Sequence, residues 1–234
     1  MLEVLHFTKR YNNTTAVDDL SFTLDNGTVT VLLGPNGAGK STVMKSIVGF
    51  LRFDGSIKVN GNNNNLPKSR RDIGYIPEIP SFYPNLTVAE HMEFIARTYR
   101  LKNYKEYSEY LLKRFELYQH RKKFGDELSK GMQQKLNICL GLLTKPNVIL
   151  LDEPFIGLDP HAIKELRSAV LEMKDEGCTL LISTHMIDSV SNIWDRTIIM
   201  KKGKMEADIS KEEFEGMSTE TLEDLFFDVT EAGV

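Results

Sequence analysis

The octapeptide Gly34-Pro35-Asn36-Gly37-Ala38-Gly39-Lys40-Ser41 constrains this chain more than any other stretch, because it stands between an apolar run, Val29 to Leu33, and a helix-like pattern, Thr42 to Phe50. Strand, tight glycine loop and helix follow one another. The spacing is G-x-x-x-x-G-K-[ST], in which backbone N–H groups and the positive end of the following helix cradle a di- or triphosphate. Its glycines supply left-handed dihedrals and keep a Cβ from holding the backbone off the phosphates. Lys40 is placed to reach the β- and γ-phosphates, and Ser41 to give its hydroxyl to a Mg²⁺ ion.

With 234 residues and 41% hydrophobic content, the chain is long enough for a substantial core, as one large α/β domain or a domain with a subdomain. A net charge of -4 gives no global basic field, so nucleic acid is not an expected partner. The stretch Met1 to His6 lacks the layout of a signal peptide, and no run approaches the roughly 18 apolar residues of a membrane span. A chain soluble when taken alone is expected. Cys139 and Cys178 sit at no metal-binding spacing and read as buried reduced thiols, which points to the cytoplasm.

Residues 2 to 9 set Leu2, Val4 and Phe7 among polar residues and lead through Lys9-Arg10 to Tyr11, a half-buried strand ending in an exposed aromatic. A turn at Asn12-Asn13, a strand from Val17 to Leu24 and a hairpin-type Asp25-Asn26-Gly27 follow, so an antiparallel β-layer precedes the parallel core. Ser56 to Val59 is a short strand, Asn62 to Asn65 a solvated loop, and Ile73 to Ile76 a strand that stops at Pro77 with Glu78 just beyond. Helical spacing returns in Thr87 to Arg100, where Thr87 and Glu90 form a capping box, and in Tyr104 to Tyr118. Together these predict a helical insertion over 79–145. Within it, Ser129 caps a helix whose first turn holds Gly131, which fits either an anion site or a plain capped helix.

Val148 to Leu151 reads as a strand covered on both faces, and its carboxyl end carries Asp152-Glu153. Gly157-Leu158-Asp159 makes a turn, Pro160 opens a helix to about Glu176, and Thr179 to Ser183 is a second buried strand ending in Thr184-His185. Arg196 to Met200 and Lys204 to Ile209 form a terminal hairpin around Gly203. The acidic tail, 206–234, with Glu212, Glu213, Glu215, Glu220, Glu223 and Asp224, reads as short surface helices without chemistry. In an open α/β sheet, ligands lie beyond the carboxyl ends of the strands, so the phosphate loop, Asp152-Glu153 and Thr184-His185 are expected to meet in one crevice.

These residues resemble the nucleotide-binding subunit of an ATP-binding cassette (ABC) transporter over about residues 2 to 205. Gly34 to Ser41 looks like the Walker A loop, and Val148 to Asp152 with Glu153 like Walker B and its catalytic acid. Leu128-Ser129-Lys130-Gly131-Met132 resembles the LSGGQ signature, Gly157-Leu158-Asp159 the D-loop, and His185 the switch histidine. Ile76-Pro77-Glu78 sits where the family has its Q-loop, and Tyr11 where it has an adenine-stacking aromatic. This sequence departs from the pattern at Glu78, which replaces the usual glutamine, and at Lys130 and Met132. The forms L-S-K-G-M and G-Y-x-P-E look like the bacterial ABC-2 type export branch.

The resemblance implies a P-loop NTPase core with a mostly parallel sheet, an N-terminal antiparallel β-layer and an inserted α-helical subdomain, all in one nucleotide-binding domain over 1–234. It implies that Gly34, Pro35, Asn36, Gly37, Ala38, Gly39, Lys40, Ser41 and Thr42 hold ATP, with Tyr11 on the adenine and Ser129, Gly131 and Asp159 completing the site of a second copy. Ser41, Asp152 and Glu78 would serve Mg²⁺, while Glu153, His185 and Lys40 carry the hydrolysis. The implied partners are a second nucleotide-binding subunit, identical or not, and transmembrane permease subunits, with this chain peripheral on the inner face of the membrane. The competing reading is an ABC-type ATPase acting on nucleic acid or the ribosome. It would call for a long coiled coil between the Walker motifs, tandem cassettes or zinc-binding cysteines, none of which this acidic sequence has. A P-loop kinase would explain Gly34 to Ser41 but neither the signature nor the His185 strand.

Overall fold

The computed structural model of the chain describes residues 1–217, 219 and 221–231. β1 (Leu2–Tyr11) and β2 (Thr14–Leu24) turn at Asn12-Asn13 and pair antiparallel. β3 (Val29–Leu33) leads into α1 (Lys40–Ile47), and β4 (Asp54–Val59), β5 (Asn62–Asn63) and α2 (Pro67–Asp72) precede β6 (Ile73–Ile76). Then come α3 (Val88–Thr98), α4 (Tyr104–Arg114), α5 (Lys130–Leu143), β7 (Val148–Asp152), α6 (Pro160–Asp175) and β8 (Thr179–Thr184). β9 (Arg196–Lys201), β10 (Lys204–Ser210), α7 (Lys211–Glu215) and α8 (Leu222–Glu231) end the described chain.

Among the described residues the strands form an antiparallel sheet in the order β2-β1-β4-β5 and a larger one in the order β10-β9-β3-β8-β7-β6. In the larger sheet every neighbouring pair is parallel except β9 with β10. Leu32, Leu150, Leu181 and Ile198 point into an apolar cluster shared with Val43, Met44 and Ile47 of α1 and with the antiparallel sheet. Val31, Ile149, Leu180 and Ile199, one residue away in each strand, belong to the opposite cluster with α3, α4, α5 and α6. This period of two across a sheet covered on both faces explains why its central strands read as nearly continuous apolar runs rather than as alternating ones. Register then aligns the strand ends, with Leu33 opposite Thr184 and Asp152 opposite Ser183.

The structure corrects several sequence expectations. Asp25-Asn26-Gly27 is a turn, with Gly27 at φ 67, but not a hairpin: β2 and β3 lie in different sheets, and the Gly27 N–H donates to Cys178 O at 3.1 Å. The asparagine run is not a solvated loop. Asn62–Asn63 pairs with β4, and the fully buried Asn64 donates from Nδ2 to Ile47 O, a carbonyl of the last turn of α1, and to Ser46 O, which also accepts from the Gly49 N–H. The α2 turn was not foreseen, and the helix expected to reach Tyr118 stops at Arg114, with a 3-10 turn at Tyr118–His120. The acidic tail begins inside β10. Its helices are not merely on the surface, since Leu222 and Leu225 are buried in the core with Phe214 and Phe226 against it. Ser218, Glu220 and residues 232–234 of that tail lie outside the described residues. Cys139 and Cys178 are both free and buried, and burial pushes the Cys178 thiol up to about 12.

Candidate active site

A cleft of about 520 Å³ opens beyond the carboxyl ends of β3, β7 and β8, walled by residues 36–42 together with Ala16, Glu78, Glu153, Ile156 and His185. The loop reaches α1 through left-handed residues, Gly37 at φ 81 and Gly39 at φ 105. A side chain at Gly39 would be strained in backbone and would bring its Cβ to 2.9 Å from Ala16 O. Gly34 is tight for a different reason: a Cβ there would stand 2.5 Å from Met200 O. No acidic residue occupies the first turn of α1, whose amides and dipole are left to a ligand in the cleft.

Lys40 opens α1 with its side chain only 6% exposed; its Nζ donates to Gly34 O at 2.6 Å and stands 3.6 Å from Glu153 Oε1. Asp152, buried at the end of β7, accepts on Oδ1 from Ser41 Oγ at 3.1 Å and from Ser183 Oγ at 2.5 Å. Its other oxygen accepts from Tyr75 OH at 3.3 Å. Burial, and then the negative Asp152, push the Tyr75 phenol well above its usual range, so it remains a donor. Glu153 takes φ 48, a left-handed conformation uncommon outside glycine, and its N–H donates to Ser183 O at 3.0 Å. That turn leaves its buried carboxylate in the cleft, where Oε2 accepts from His185 Nδ1 at 3.0 Å and from the His185 N–H at 3.3 Å. With Nδ1 as donor, the imidazole keeps its second nitrogen for another partner.

The other residues expected at a nucleotide lie elsewhere. Ser129 caps α5, its Oγ accepting from the Met132 N–H at 3.3 Å, and a Cβ on Gly131 would meet Gly157 O at 2.8 Å. Asp159 caps α6 through Oδ1, which accepts from the Ala162 N–H at 2.9 Å, while Oδ2 pairs with Lys135 Nζ at 2.7 Å. The bond from Lys135 holds the Asp159 carboxyl below the usual range. None of Ser129, Gly131 and Asp159 lines the cleft, and neither does Tyr11, which is 44% exposed with Lys9 Nζ 4.7 Å from its ring centroid.

A family model described as ABC transporter matches residues 17–156. The ABC-type transporter ATP-binding protein EcsA of Bacillus subtilis (strain 168) is 36% identical over 98% of this chain and 96% of its own length. The chain belongs to the ABC transporter family, as an ATP-binding subunit. The lantibiotic transport ATP-binding protein SrtF of Streptococcus pyogenes is 36% identical to this ATP-binding subunit over 97% of the chain and 96% of its own length. A solved ATP-binding subunit of an ABC transporter has a TM-score of 0.93 at 34% identity, covering 98% of this chain and 99% of that one. A dimeric post-hydrolysis state of an ATP-binding cassette bound to ADP and Pi has a TM-score of 0.82 at 26% identity, covering 90% and 98%.

Whether this ATP-binding subunit can hold Mg²⁺ is a matter of donor chemistry. The Ser41 hydroxyl on the cleft wall and the Asp152 carboxylate it contacts are hard oxygen donors of the kind the ion takes, and Glu78 adds a carboxylate on the wall. The residues fit the ion. Sequence reasoning missed Ser183 and Tyr75, the donors that orient Asp152. The signal for Ser183 was present, a hydroxyl interrupting a buried apolar strand directly opposite Asp152.

Proposed function

We propose that this subunit hydrolyses ATP with Mg²⁺ in the cleft and powers an exporter through closure of a two-copy clamp. The observation that carries the reading is the meeting of Lys40, Ser41, Asp152, Glu153 and His185 at three adjacent strand ends. Lys40 and the loop amides would hold the phosphates in place, because phosphoryl transfer asks the protein for positioning and charge rather than covalent chemistry. Ser41 and Asp152 would hold Mg²⁺, which when bound offsets charge on the phosphoryl oxygens. Glu153 would take the proton of the attacking water, its carboxylate held by the two donors of His185. His185, half exposed at the cleft wall, would hold that water and the γ-phosphate.

Ser129, Gly131 and Asp159 stand away from the chain's own cleft, which supports a second copy as the one whose ATP they complete. The cassette bound to ADP and Pi is a dimer, and SrtF is named for lantibiotic transport; both support the reading. Among the described residues no helix is long and apolar enough to cross a membrane, which leaves the pathway to permease partners on whose inner face this subunit would sit. A groove beside the insertion over 79–145, with Phe50, Ile79, Phe82 and Tyr99 on its walls, offers apolar surface for such a partner. The test is Glu153→Gln, expected to keep ATP affinity within about twofold and to lower turnover by about 10²-fold or more. Unchanged steady-state hydrolysis would refute the role of Glu153.

A further inference from the structure

We infer that Gln134 and Asn137 on α5 are positioning residues that fix where Glu78 and Glu153 stand relative to one another. The two side chains are buried, at 3% and 8% exposure, and lie one helical turn apart on one face of α5. Asn137 Nδ2 donates to Pro77 O at 2.8 Å and to Gln134 Oε1 at 3.3 Å, and Gln134 Nε2 donates to Pro154 O at 3.2 Å. Pro77 immediately precedes Glu78, and Pro154 immediately follows Glu153. A single chain of hydrogen bonds therefore runs from the residue before one acid, through the helix, to the residue after the other.

The strands that deliver these acids, β6 and β7, are paired only as far as Ile76 with Leu151, so beyond that point the sheet no longer sets their separation. The two carboxamides take over where the ladder ends. Buried amides in the middle of a helix are costly unless satisfied, and here each donates to a backbone carbonyl, half-buried at Pro77 and buried at Pro154. The helix has little room to drift from β6 either, since a Cβ on Gly141 would meet Ile76 Cγ1 at 2.4 Å. Because the same helix begins at Ser129 and Gly131, a push on that end reaches both acids through two side chains.

This role rests on the reading of Glu153 and Glu78 as site acids given above. The experiment measures kcat and KM for Mg-ATP hydrolysis by the full chain, with thermal melting followed in parallel, for Asn137→Leu, Gln134→Leu and the double variant. Leucine keeps the volume and removes the donors. Each single change is expected to lower kcat by about tenfold, the loss typical of groups displaced by a fraction of an ångström, with KM within about twofold at temperatures below every melting transition. The double variant is expected to lose no more than the worse single, because the two act as one chain. Wild-type kcat in Asn137→Leu, a kcat loss that only follows the unfolded fraction, or losses that multiply in the double variant would each overturn the inference. An inactive wild type, or a Glu153→Gln variant with normal turnover, would overturn instead the active-site reading beneath it.

Discussion

Gly39 and Asp159 show how single residues carry more than one constraint. At Gly39 the backbone sits at φ 105, and a Cβ would stand 2.8 Å from Val17 Cγ2 and 2.9 Å from Ala16 O. The valine methyl can turn aside, but the backbone carbonyl cannot. Gly39→Ala is therefore expected to distort the loop and weaken ATP binding by about tenfold or more, as read by equilibrium nucleotide titration; the left-handed strain alone is about 1–2 kcal/mol. At Asp159 one oxygen caps α6 and the other meets Lys135. Asn keeps a cap and loses the ion pair, so Asp159→Asn isolates the second role. The folded pKa of Asp159 is depressed, first by the Lys135 bond, so its stabilisation is present above the unfolded value near 3.9 and lost as pH falls through the folded value. The difference in denaturation midpoint between wild type and Asp159→Asn is thus expected to stay constant from pH 5 to 8 and to shrink below about pH 4. With Asp159 half exposed, that difference is about 1 kcal/mol or less.

Helices and strands were legible wherever the pattern was periodic or a cap was local. The Thr87–Glu90 capping box starts α3, Ser129 starts α5, and α6 runs from Pro160 to a cap at Glu176, all as the residues alone suggested. What failed were features fixed by distant partners. Asp25-Asn26-Gly27 has the chemistry of a hairpin turn, yet the chain beyond it pairs with β8 and β9 rather than with β2, because β3, with four apolar residues among five that are all buried, needs cover on both faces. The asparagine run was misread for the same reason: nothing local says that Asn64 will meet the end of α1. Asn64→Ala strips the side-chain donor from the buried Ile47 carbonyl, leaves Ser46 O with the Gly49 N–H alone and opens a cavity, so it is expected to destabilise the fold by about 1–3 kcal/mol, measured as a lower urea midpoint with an unchanged m-value.

Taken as one body, the molecule holds two separate sets of the residues that the signature motifs make prominent. Lys40, Ser41, Glu153 and His185 line one cleft, with Asp152 bonded to Ser41, while Ser129 and Gly131 begin a helix outside it. The cleft could be foreseen, because strand order follows from apolar runs and ligands gather at the carboxyl ends of strands. The donors behind it, Tyr75, Gln134 and Asn137, could not, since the partners that define them, Asp152, Pro154 and Pro77, lie 77, 20 and 60 positions away. The separation of the two sets yields a test that stability cannot imitate. In Glu153→Gln, which would retain ATP, adding Mg-ATP is expected to shift sedimentation from one copy to two. Ser129→Arg in that background would place bulk and charge on the surface offered to the second copy, at the expense of one helix cap, about 1 kcal/mol. It should abolish the two-copy species while leaving nucleotide affinity intact at protein concentrations too low for two copies to form, because Ser129 does not line its own chain's cleft. Dimers that persist with Ser129→Arg would mean that the copies meet through some other face. Affinity lost at those low concentrations as well would mean that the cleft of one chain already depends on that helix end.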